Sequence, residues 1–276
     1  MSKKFVIEKF SSIDEYVKVI GQRKPNTAFA GEDSFSSEKA GKSEFAATAT
    51  YQDSVALIER GFSEGLDKML NNHGERISFK ARSSRALPAS SPVGYAPIVP
   101  NAILGLPNSM MSKKIVQMKT KVMSIWYDMG ASCGVHSQTI LTAGRHMLEL
   151  IDLLEKQGYR VELNVCAFMC ANKEICSSVV KVKTDKQPMN PLKIAYPILH
   201  ASFLRRQGFK WLETCPKVTD RSLTDGYGTP LKYACAGPRR AFLKENKVID
   251  ENCFYTDFYE ANDHDAKGLM KLMGIK

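Results

Sequence analysis

Nowhere does the sequence approach the roughly 18 consecutive apolar residues that a membrane-spanning helix requires. Even the apolar stretch from Ala96 to Leu106 is broken by Pro97 and Pro100 and followed by Pro107. The Met-Ser-Lys-Lys start leads into Phe5, Val6, Ile7, Glu8 and Lys9, without the apolar run and small-residue cleavage site of a signal peptide. The expectation is a protein that stays where it is made and has no membrane partner. Cys-x-x-Cys is also missing. The 7 cysteines, Cys133, Cys166, Cys170, Cys176, Cys215, Cys235 and Cys253, are odd in number and lack a disulfide rhythm, so they read as reduced thiols in strands and core. Gly226, Gly228 and Gly237 form neither a phosphate-binding loop nor a dinucleotide fingerprint. There is no internal repeat and no low-complexity tract.

With 276 residues, 43% of them hydrophobic, the chain can bury a substantial core in one large domain or in a main domain with an appendage. The net charge of +10 attracts phosphate backbones or acidic proteins. Basic pairs stand at Lys113-Lys114, Arg205-Arg206 and Arg239-Arg240, with Lys80, Arg82 and Arg85 ahead of a proline-rich segment. Together these nine residues are candidates for a nucleic-acid-binding surface, DNA or RNA, through sequence-independent phosphate contacts. Aromatics that would stack on bases are scarce among them, which argues against a dedicated single-strand binder. The plainer role for Arg205-Arg206 is to complement a helix dipole.

Alternation over Phe5 to Phe10 predicts a short strand, and Ser12 with Glu15 a capping box opening a helix through Ile20. Residues 21 to 42 read as a loop. A helix is predicted from about Asp53 through Arg60, resuming from Ser63 to Asn71. Pro88, Pro92, Pro97, Pro100 and Pro107 predict a rigid connector without long regular structure, packed on the main body. The clearest order follows: a strand over Val122 to Tyr127, a helix over Ser137 to Lys156 ended by Gly158, and a second strand over Tyr159 to Phe168. That is a βαβ pattern, with a right-handed crossover. Ile175 to Thr184 makes a third strand, hairpinned to the second at a sheet edge. Pro191 to Arg206 reads as a helix, Phe209 to Glu213 as a strand, and the tail as helices near Leu231 to Glu245 and Asp263 to Met273. The division expected is an N-terminal helical and proline-rich region, 1–118, packed on an α/β domain, 119–276.

Several segments resemble a family of uncharacterised tailed-phage proteins. They are Gly94, Pro97, Val99, Pro100, Leu104, Gly105, Pro107 and Met110 in their spacing; Asp128-Met-Gly-Ala-Ser132 with its long helix and Gly158-Tyr159-Arg160-Val161-Glu162; Ala195 to Ala201 with Leu204 to Phe209; and Arg60-Gly61-Phe62. The resemblance implies a phage protein acting in the host cytoplasm with an α/β body, and it carries over no catalytic residue. More distantly, the central segment is similar to von Willebrand factor A domains, in which a strand runs into a D-x-S-x-S loop whose oxygens hold a divalent cation. Here the loop reads Asp128, Gly130, Ser132, so one hydroxyl is absent; Thr184 is the nearest stand-in for a later threonine, and Asp220 could supply a later carboxylate. The resemblance thus implies a candidate site for Mg, Mn or Ca at Asp128, Ser132 and Asp220. The plainer alternative is that Asp128 and Ser132 cap the helix that follows.

Cys133 beside His136 near a helix N-terminus resembles an activated thiol, but no third orienting group is evident. His146 and His200 fall on helical faces where packed histidines are the rule. The expected architecture is a three-layer α/β sheet, von Willebrand A-like or Rossmann-like, with an N-terminal helical and proline-rich extension. The expected function is a non-enzymatic binding or assembly protein, with two alternatives: a divalent-metal-dependent enzyme, or an inhibitor of a host protein.

Overall fold

The computed structural model describes residues 4–24, 43–64, 66, 84–117, 121–171, 174–187, 189–218, 229–231 and 236–275. Strand β1, Lys4–Phe10, leads into helix α1, Ile13–Gln22. Ser12 Oγ accepts the Glu15 amide at 3.1 Å, and the Glu15 carboxylate accepts the amide of Ser11 at 2.7 Å. The expected capping box is therefore present with its return bond moved back one residue. After α2, Ser43–Ala46, comes α3, Tyr51–Arg60. It starts earlier than the spacing predicts because the cap is Thr50, in a reciprocal box with Asp53.

The proline-rich segment is more regular than expected. It folds as β2, Ser84–Ser91, β3, Ala96–Pro97, the short α4, Val99–Ile103, and β4, Met110–Gln117, a small antiparallel sheet in the order β2-β4-β3. Pro88 is tolerated because β2 is an edge strand, where a missing N–H breaks no central ladder. Nor does the segment bury its apolar residues on the main body: Val93, Tyr95, Val99, Ile103, Leu104 and Leu106 are all exposed.

The larger sheet begins with β5, Val122–Asp128, crosses through α5, Ser137–Lys156, and returns as β6, Arg160–Cys166. There follow β7, Met169–Ala171, β8, Glu174–Lys183, α6, Pro191–Leu199, a π-helical turn, Phe203–Gly208, and α7, Phe209–Thr214. Then come β9, Thr229–Pro230, α8, Ala236–Glu245, β10, Phe254–Asp257, α9, Phe258–Asp263, and α10, Ala266–Leu272. The result is a mixed α/β fold around a mixed sheet, ordered β10-β5-β6-β8-β7-β9, with β1 also on β8. β10, β5 and β6 are mutually parallel, β8 is antiparallel to β6, and β1 runs parallel to β8.

Alternation on β5 separates two cores. Ile125 and Tyr127 join the larger one beneath α5, with Met147, Leu148 and Ile151, while Trp126 joins Leu243 and Tyr255 on the opposite face. Gly144 lets α5 lie against α6, since a Cβ there would collide with the Ile198 carbonyl.

Three expectations are corrected. β8 is not at a sheet edge, because β1, from the region assigned to 1–118, pairs along Glu174 to Val180. Phe209 to Glu213 is helical: Gly208 keeps helical angles, φ −63 and ψ −41, so it continues the turn and does not end it. β10 lies in a tail read as helical on both sides; it is only four residues long and wholly buried, so it shows no alternation.

Candidate functional site

The in-register parallel strands β5 and β10 end together, placing Asp128 directly beside Asp257. Both carboxylates are fully buried, and so is Arg239, which α8 lowers onto them. The Arg239 guanidinium lies 3.4 Å from Asp128 Oδ2 and 3.2 Å from Asp257 Oδ2, and its second nitrogen donates to the Leu231 carbonyl at 2.8 Å. The Tyr255 hydroxyl donates to Asp128 Oδ2 at 2.7 Å. Oδ1 of Asp128 accepts the amides of Gly130, at 2.9 Å, and Phe168, at 3.1 Å. Asp257 also caps α9, its Oδ1 accepting the Glu260 amide at 2.8 Å.

Burial of so much charge needs compensation on every side. Burial opposes the Arg239 charge, but the adjoining Asp128, Tyr255 and Asp257 outweigh it and hold the guanidinium protonated. Burial pushes the Asp257 carboxyl up, against the pull of the Glu260 amide and of Arg239. It pushes the Tyr255 phenol up as well, with the Asp128 charge adding to the effect.

This arrangement does not suit a divalent ion. The oxygens of Asp128 already accept two amides and a hydroxyl, and a guanidinium sits where a metal would approach. The absent hydroxyl has a steric reason: a Cβ on Gly130 would lie 2.9 Å from Asp128 Oδ1. Ser132 donates its amide to the Tyr259 hydroxyl at 3.3 Å, and Asp220 lies outside the described residues. Among the described residues no group of three or more His, Cys, Asp or Glu side chains is placed to hold a metal. Nor does Asp128 cap α5, whose N-cap is His136 without a side-chain bond.

The nine expected nucleic-acid contacts divide. Arg205, Arg206 and Arg239 are exposed by 2%, 1% and 2%, so they are corrected from surface contacts to interior ties. Arg205 donates to the carbonyls of Phe45 at 2.7 Å and Val135 at 2.6 Å and lies over the Phe45 ring, 4.1 Å from its centroid. Arg206 donates to the carbonyls of Thr48 and Ala49, both at 2.9 Å. These two arginines fasten the segment around α2 to the π-helical turn. Arg240 is half-buried, donating to the Tyr255 carbonyl and ion-paired with Glu260 at 3.2 Å. Lys113 is exposed, its Nζ 5.7 Å from the Tyr95 ring centroid. Arg85 and Lys114 occupy the β2–β4 ladder opposite Val116 and Leu87, and Lys80 and Arg82 lie outside the described residues.

His146 and His200 are held by internal contacts. His146 Nδ1 lies 2.8 Å from the Ala261 carbonyl. His200 Nδ1 accepts the Ser202 amide at 3.2 Å, and burial pulls its pKa down to about 4. Cys133 is exposed and the other described cysteines are buried. Sequence reasoning missed Tyr255 and Asp257. The available signal was a repeated strand ending: Ile125-Trp-Tyr-Asp128 and Phe254-Tyr-Thr-Asp257 both close an aromatic-rich run on aspartate, the second within an Asp257-x-x-Glu260 cap.

Among the described residues no helix is long and apolar enough to cross a membrane. A family model described as a domain of unknown function, DUF7192, matches residues 2–276. No curated protein and no solved structure matches the chain.

Proposed function

The chain belongs to the DUF7192 family, and from that premise we propose a non-enzymatic binding or assembly protein of a tailed phage, acting in the host cytoplasm and holding a macromolecular partner. One contrast carries the reading. The carboxyl edge of the large sheet, where open α/β sheets place their ligands, is closed by Asp128, Arg239, Asp257 and Tyr255 bonding to one another. The connections between β2, β3 and β4 instead expose six large apolar side chains, from Val93 to Leu106, and patches of that kind mark interaction surfaces. The order β10-β5-β6-β8, with β8 reversed, supports a von Willebrand A-like ancestry for the body without its metal. The nucleic-acid variant of the reading rests on Lys80, Arg82, Arg85, Lys113 and Lys114, since the other four arginines are engaged internally.

The test is capture from infected host lysate with mass spectrometry, comparing wild type with Ile103→Asp and Leu104→Asp combined. Partners lost from the variant support the reading. An unchanged partner set would place the contact surface elsewhere.

A further inference from the structure

The small sheet is graded along its length. β2 and β4 form a stem whose ladder closes at the Ser91–Met110 pair, and residues 92–109 form its tip, Tyr95 to Pro97 folding back along the other side of β4 and the rest extending past the ladder. Between Arg85 and Lys113 the sequence carries no charge at all. In that interval Val93, Tyr95, Val99, Ile103, Leu104 and Leu106 are exposed by 47 to 80%. Charge returns on both sides with one sign only: Arg76, Lys80, Arg82 and Arg85 precede the tip, Lys113, Lys114, Lys119 and Lys121 follow it, and no Asp or Glu lies between Glu75 and Asp128.

The tip's backbone is prepared for a medium poor in water. The amides of Tyr95 and Ile98 donate to Met111 and Ser109 at 2.9 and 2.7 Å. Those of Ala102, Leu104, Gly105 and Leu106 are bonded within the tip at 3.0 to 3.1 Å. Pro92, Pro97, Pro100 and Pro107 have no amide hydrogen to satisfy. Unpaired amides are what keep irregular backbone out of lipid, and here most are paired or absent.

Resting on the reading of this small sheet as the contact surface, we propose that its tip, residues 92–109, inserts into the headgroup and acyl boundary of an anionic lipid bilayer, with Lys113 and Lys114 at the level of the lipid phosphates. The step from Met110 to Lys113 is three residues of strand, about 10 Å, and apolar faces that lie in a bilayer interface enter to roughly 5–10 Å. Tyr95 beneath Lys113 adds the aromatic and cationic pairing common at that depth. This is shallow insertion that needs no spanning helix, in keeping with the lack of one among the described residues. Nucleic acid fits less well, because phosphate contacts need cations where contact is made and the exposed tip has none.

The experiment is cosedimentation of the full chain with vesicles of phosphatidylcholine mixed with phosphatidylglycerol, and with phosphatidylcholine alone, at low and physiological salt. Labelled duplex DNA and RNA are titrated in parallel. Wild type should sediment with the anionic vesicles and less at higher salt. Lys113→Glu with Lys114→Glu should weaken partitioning by about 25-fold or more, each lost basic residue being worth roughly fivefold. Ile103→Asp with Leu104→Asp should abolish it while the melting curve stays unchanged. No sedimentation of wild type with anionic vesicles at low salt overturns the proposal, as does equal binding by the Ile103→Asp and Leu104→Asp variant. DNA or RNA binding that depends on the two lysines, without vesicle binding, overturns the bilayer and keeps the small sheet as the contact surface. Absence of both, with an unchanged partner set from lysate, overturns both.

Discussion

The two sheets handle polarity in opposite ways. At the carboxyl edge of the large sheet two aspartates, an arginine and a tyrosine are withdrawn from water into one ion-paired cluster, in which Asp257 Oδ2 and Arg239 Nε have no hydrogen-bond partner. In the small sheet a charge-free interval is left in water with its apolar side chains uncovered. Buried ion networks stabilise little relative to apolar packing but cost heavily when broken, whereas exposed apolar side chains contribute almost nothing to folding. The first region is thus a requirement of the fold, and the second is free to answer to something outside it.

That contrast can be broken most forcefully at Arg239. Arg239→Met leaves Asp128 and Asp257 side by side without a cation and should destabilise by about 3–5 kcal/mol in denaturant unfolding. A loss under about 1 kcal/mol would mean that water already reaches the edge. A second measurement is the acid limb of stability. His200 must be neutral to accept the Ser202 amide, and burial holds its pKa at about 4 against an ordinary 6.5. Its contribution is therefore complete above pH 6.5 and is lost as pH falls toward 4, up to about 2–3 kcal/mol. Melting His200→Gln across that range should give a flatter limb; an unchanged slope would assign acid sensitivity to other groups. Gly130→Ala should cost about 1–3 kcal/mol by forcing the loop away from Asp128 Oδ1, and a neutral result would show that the loop yields. At the other extreme, Ile103→Asp with Leu104→Asp should change unfolding free energy by no more than about 0.5 kcal/mol. A larger loss would mean that the tip is covered in solution.

Periodicity made the central βαβ unit readable: α5 lies on the residues its spacing marks, and β5, β6 and β8 are each within two residues of the expected bounds. It failed where local pattern does not determine the outcome. Fully buried β10 shows no alternation, and Gly208, which marks a helix end on composition, instead takes helical angles inside a continuing turn. The site was half legible. Asp128 stands out by its place at a strand end, but its side-chain partners Arg239 and Tyr255 come from positions more than 100 residues later, and nothing local announces that Arg239 points inward. Paired arginines in a basic chain read as surface, and only tertiary structure shows Arg205 and Arg206 reaching carbonyls of a segment some 160 residues earlier.

The pairing of β1 with β8 sets a timing problem for the cell. The two strands are made about 170 residues apart, so at roughly 5–20 residues per second a ribosome takes on the order of ten seconds or more to supply the partner. Until then Phe5 to Phe10 is a strand without a neighbour, and β8, once made, keeps an open edge until β1 returns to it. Such long-range closure slows folding. A short insertion between β1 and α1 that displaces the Glu8 contact with Arg23 should therefore lower the yield of soluble chain more than it lowers the stability of what folds.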